Sequence, residues 1–105
     1  MLDSQQIIEP FLLFCRKDSK FLDCFCSFYT LETPPQHWQF KLQTLYSFLL
    51  HYYDQEDFGF NSFRRTLFNS PINQHLSEQG YTISIAEPAD HVDDNLYVLE
   101  HIEQP

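Results

Sequence analysis

The sequence predicts a mainly helical α+β fold, with about five helices followed by a C-terminal two-stranded hairpin in a single domain, 1–105. Three observations lead there. Apolar residues recur at helical spacing until about residue 76, whereas Tyr81-Thr82-Ile83-Ser84-Ile85 alternates apolar with polar, as a half-buried strand does. Only two glycines occur, too few for a many-turned all-β fold. Eleven Phe, six Tyr and one Trp can close the core of so short a chain, because each large ring removes about 150–250 Å² from water.

Each element has its own signal. Ile7, Ile8, Phe11, Leu12 and Cys15 predict a first helix over 4–16 that either starts near Pro10 or kinks there. Arg16, Lys17 and Lys20 suit its C-terminal dipole. Phe21, Leu22, Phe25, Phe28 and Tyr29 predict a second helix over 19–31, so that 1–32 forms a helical pair ahead of a second part, 33–105. Thr33-Pro34-Pro35-Gln36 has capping-box spacing with proline at the first helical position, which predicts a central helix over 34–53. Its buried stripe would be Trp38, Leu42, Leu45, Tyr46, Leu49 and Tyr53. Asn61 or Ser62 is expected to cap a short helix bearing Phe63, Leu67 and Phe68, and Ser70 to cap a second one running from Pro71 to Gln79, with Gly80 as its stop. The strands are expected over 81–85 and 96–102, joined by the polar loop Glu87–Asn95.

Charge is distributed unevenly along the chain. Residues 1–53 carry four basic and five acidic side chains, a net of −1; residues 54–105 carry Arg64 and Arg65 against ten carboxylates, a net of −8. Such a surface repels phosphate and attracts basic partners. Asp54, Glu56 and Asp57 form one acidic loop, and Glu87, Asp90, Asp93 and Asp94 another. These seven are the expected partner-binding residues, and Arg64 and Arg65 are expected to pair with their acidic neighbours.

From residue 36 to 103 the order of elements, and above all Ile72-x-x-x-Leu76-x-x-x-Gly80-Tyr81-x-Ile83 followed by Tyr97-x-Leu99, resembles the winged helix-turn-helix superfamily. The resemblance implies that Pro71–Gln79 corresponds to a recognition helix and Glu87–Asn95 to the wing tip, with Asn73, Gln74 and His75 as the DNA-reading alternative. The chain departs from that pattern in charge. The implied recognition helix has no Lys or Arg and the wing tip is acidic, so the phosphate contacts that normally supply affinity are missing.

Other chemistry finds little footing. Cys24-x-Cys26 with Cys15 is too closely spaced for a structural zinc pair, and His37, His51, His75, His91 and His101 are scattered, so neither metal nor cofactor is expected. Asp90, His91, Asp93 and Asp94 lack the glycine and ligand alternation of a calcium loop. No phosphate-binding glycine loop or nucleophile elbow occurs, so no catalytic residues are expected. The longest apolar run, Phe11–Cys15, cannot span a bilayer, and three cysteines without an export signal imply reduced thiols in the cytoplasm. The expectation is a non-catalytic acidic module that docks a basic protein surface, in the manner of an inhibitor, immunity protein or DNA mimic acting on a nuclease or another nucleic-acid-binding protein. The alternative is a winged-helix transcription regulator.

Overall fold

The computed structural model describes residues 3–54, 59–91 and 94–102. In chain order these form α1 (Ser4–Cys15), α2 (Ser19–Tyr29), β1 (Trp38–Phe40), α3 (Leu42–Tyr52), α4 (Phe60–Asn69), α5 (Ile72–Ser77), β2 (Tyr81–Glu87) and β3 (Leu96–His101). The α+β class and the five helices agree with the sequence. The sheet has three antiparallel strands in the order β1-β3-β2, so the expected C-terminal hairpin is present as β2–β3 and gains a strand from earlier in the chain. Across β3, Trp38 pairs with Leu99 and Phe40 with Tyr97 on one side, while Tyr81 pairs with His101 and Ile83 with Leu99 on the other.

The extra strand corrects the expected central helix. Residues 34–40 are not helical: Trp38 and Phe40 point into the core with Gln39 outward between them, and the helix begins only at Leu42. The tandem proline explains this. Pro35 disfavours the α region for the residue before it, which works against Pro34 as a helical first position, and the chain bends at Gln36 and His37 before its strand pairs with β3. Two other expected caps also moved. Ser70 closes α4 instead of opening α5, its hydroxyl donating to the Thr66 carbonyl at 2.6 Å and lying 2.9 Å from the Ser4 hydroxyl. Helix α4 starts at Phe60, so the cap position falls on Gly59, with a positive φ of 109° and an N–H bond to the Tyr46 hydroxyl at 3.1 Å, and not on Asn61 or Ser62.

The N-terminal helices begin with strong caps. Asp3 and Gln6 form a reciprocal capping box, with bonds of 2.8 and 3.1 Å, and the Asp18 carboxylate accepts the Phe21 N–H at 2.9 Å. Helix α1 runs through Pro10 without a break. A proline at this position leaves the Gln6 carbonyl without its helical donor, and the Tyr53 hydroxyl supplies one at 2.7 Å.

One aromatic-rich core joins both parts of the chain. Trp38, 1% exposed, lies between α1, α2 and α3, with the rings of Phe11, Phe25, Phe48, Phe14, Phe40 and Phe21 at centroid distances from 4.7 to 6.1 Å. Its indole N–H donates to the Tyr29 hydroxyl at 3.2 Å. Below it, Leu42, Leu45, Tyr46, Phe48 and Leu49 form the buried face of α3. Replacing Leu45, which is wholly buried, by Ala is expected to cost about 2–5 kcal/mol in urea unfolding. A loss near zero would mean that this face does not pack as described.

Burial also sets the alkaline limit of stability. It pushes the Cys15 thiol from its ordinary 9.0 up to about 12, against smaller opposing effects of Arg16 and a hydrogen bond to its own backbone. It likewise raises the phenols of Tyr29, Tyr52, Tyr53 and Tyr81 above the ordinary 10.0. These groups hold their protons longer when folded than when unfolded, so their contribution is complete below pH 9 and is lost as pH rises through 9 towards 12 and beyond. Urea midpoints measured between pH 8 and 11.5 should therefore fall with rising pH, and a flat or rising curve would contradict the burial of these groups.

Candidate functional site

The loop between β2 and β3 is anchored by a buried amide. Asn95 is only 5% exposed; its Oδ1 accepts the Ala89 N–H at 2.6 Å, and its Nδ2 lies 3.5 Å from the Tyr97 hydroxyl. This bridge ties the returning limb of the loop to the outgoing one, and its acids project from a fixed base. Glu87 is the last residue of β2; Glu87, Asp90 and Asp94 are all exposed. Asp54 is exposed just beyond α3, with a left-handed φ of 51°. Glu56, Asp57 and Asp93 lie outside the described residues.

The two acidic loops do not stem from a common point. The β2–β3 loop leaves the sheet beside the Phe40–Tyr97 pair, close to where α3 begins, whereas Asp54 follows its other end. Eleven helical residues, about 16 Å, separate the two attachments.

The α5 residues considered for reading DNA have different environments. The Asn73 side chain is bonded twice to the backbone of Ile83, accepting its N–H at 2.8 Å and donating to its carbonyl at 3.2 Å. The amide thus takes the place of a neighbouring strand on the outer edge of β2. Gln74 and His75 are exposed, and Ser77 donates to the Gln74 carbonyl at 2.8 Å. With six residues, α5 is shorter than the expected span to Gln79.

Beside Asn73 lies a groove of about 400 Å³ that the sequence reading missed. Leu67 and Phe68 of α4, Pro71 and Ile72 at the α4–α5 corner, and Ile83 and Ile85 of β2 line it, with Phe40, Leu42 and Tyr97 beneath. Phe68 and Ile85 are each 52% exposed, the two most exposed large apolar side chains among the described residues. The sequence pattern places Phe68 on a short helix with Phe63 and Leu67, and Ile85 in a half-buried alternating strand. Ile85 is exposed although it still pairs with Tyr97, just before the register shift between Ile85 and Glu87, and Phe68 sits one position past the buried Leu67. Glu87, two residues beyond Ile85, brings the acidic loop to the edge of the groove.

Cys15, Cys24 and Cys26 are free and half-buried on α1 and α2. Among the described residues no three His, Cys, Asp or Glu side chains converge as a metal-binding group. No described helix is long and apolar enough to cross a membrane. Comparison with protein-family models, curated proteins and solved structures finds no match to this chain.

Replacing Asn95 by Ala should cost about 1–3 kcal/mol, because the Ala89 N–H would lose its partner. Hydrogen exchange should then quicken at residues 88–91 while α3 stays protected. Unchanged exchange in the loop would mean that Asn95 does not hold it.

Proposed function

We propose that the chain is a non-catalytic, cytoplasmic protein-binding module that docks a basic protein surface. The observation that carries this reading is the apolar groove with Phe68 and Ile85 exposed at its margin, directly beside the acidic β2–β3 loop. Exposed large apolar side chains beside a polar margin suit protein recognition, with an apolar centre that holds the partner and charges around it that guide the approach. Glu87, Asp90, Asp93 and Asp94 would steer the partner, Phe68 and Ile85 would anchor it, and Asp54 would extend the negative field from the other end of α3, with Glu56 and Asp57 adding their charge. An inhibitor, immunity-protein or DNA-mimic role towards a nuclease or another nucleic-acid-binding protein follows from the same electrostatics.

The winged-helix resemblance enters this proposal as architecture. It is supported by helix α5 leading through Gly80, at φ 79°, into β2, and by an antiparallel β2–β3 pair with the acidic loop in the place of a wing. The DNA-reading alternative is weakened by Asn73, whose amide is spent on the Ile83 backbone, and by the absence of any Lys or Arg on α5.

The test takes a partner captured on the immobilised protein and follows its association by stopped flow. Replacing Asp90, Asp93 and Asp94 together with Asn should slow association roughly tenfold at low salt and flatten its salt dependence, with little change in dissociation. Phe68→Ala should do the reverse, speeding dissociation roughly tenfold. Unchanged kinetics in both variants would remove the groove and the loop from the interface. A duplex DNA complex that persists at moderate salt and is lost in the Gln74→Ala variant would instead establish the alternative.

A further inference from the structure

At the opposite end of the sheet from the acidic loop lies a second cleft, of about 510 Å³. Seven residues of β2, about 20 Å, separate the two regions. Lys17, Pro34, Gln36, His37 and His101 are its exposed positions, above the buried rings of Phe14 and Tyr81 and the half-buried Pro35. The segments that build it are unrelated in sequence: the turn after α1, where Lys17 adopts a left-handed φ of 57°, the proline-rich run before β1, and the paired ends of β2 and β3. In a chain with fifteen carboxylates and six Lys and Arg, none of the described residues lining this cleft is Asp or Glu. Asp18, next to Lys17, has its carboxylate turned to the Phe21 N–H as a helix cap.

We propose that this cleft binds a small organic anion, a carboxylate or phosphate carried on a flat apolar body. The Lys17 ammonium supplies the charge-assisted hydrogen bond for the anionic head, and the two imidazoles supply further donors. The apolar body lies on the floor. Tyr81 and His101 already form a platform for it, with ring centroids 4.0 Å apart and planes 35° from parallel. Flat ligands gain from such surfaces, and a volume of this size falls within the range of small-molecule sites. The inference is independent of the protein-docking proposal, which uses other residues at the other end of the sheet.

Phenyl phosphate is the probe, followed by amide chemical shifts of the ¹⁵N-labelled protein at pH 7. Saturable shifts are expected at Lys17, His37, Tyr81 and His101, with none at Phe68 or Ile85. Inorganic phosphate alone and benzyl alcohol alone should each bind at least about tenfold more weakly, since each lacks one of the two elements of recognition. Lys17→Gln, at an exposed position, should weaken phenyl phosphate roughly tenfold without altering the spectrum of the free protein elsewhere. The proposal is overturned if wild-type protein shows no saturable shifts at these residues, if benzyl alcohol binds as well as phenyl phosphate, or if Lys17→Gln binds with unchanged affinity.

Discussion

The burial of Trp38 organises this protein. A large indole far from the termini must lose water on every side and still find an acceptor for its N–H, and both demands are met only when several elements converge. Tyr29 at the end of α2 provides the acceptor; α1, α2 and α3 provide the surrounding rings; β3 fixes the backbone through the Trp38–Leu99 pair. The arrangement makes a core out of a chain with few aliphatic side chains to spare. It also places the N-terminal helical pair in the same core as the sheet.

What the sequence revealed depended on the length over which each signal is written. Helices α1 and α2 were legible because eleven or twelve residues display the period several times, although their side-chain caps at Asp3 and Asp18 were not read. The buried face of α3 was legible from Leu42 to Leu49 for the same reason. Strand β1 was not, because three residues cannot distinguish a strand from the start of a helix when Trp38 also fits the helical stripe. The two proline constraints pull in opposite directions, and the restriction on the residue preceding Pro35 prevailed over the preference for proline at a helix start.

The candidate sites were legible only in part, for a related reason. Acidic side chains announce themselves by type, and the described ones, Asp54, Glu87, Asp90 and Asp94, are exposed as expected. What they adjoin is a tertiary fact. The groove exists because β2 presents Ile85 just before its register shift and the end of α4 presents Phe68, and neither exposure has a local signature. The engagement of Asn73 was equally hidden, since its partner is a strand edge ten residues further on. That contact protects β2, whose outer edge would otherwise present unpaired backbone groups to other chains. The second cleft likewise joins positions from 14 to 101, a convergence that no spacing rule could suggest.

The bond from Tyr53 to the Gln6 carbonyl has a consequence for how this sequence can change over time. The hydroxyl is valuable because Pro10 withholds the N–H that would otherwise fill the same carbonyl. A phenylalanine at 53 is therefore a different substitution in a chain with proline at 10 than in one with alanine there, where the helix would satisfy itself. The two positions lie 43 residues apart and are linked only through the oxygen of a third. Such a pair drifts in a preferred order: the proline must be relinquished first, after which the tyrosine is free to vary. Relatives of this chain that lack one of the two are expected to have lost the tyrosine only against a background without the proline.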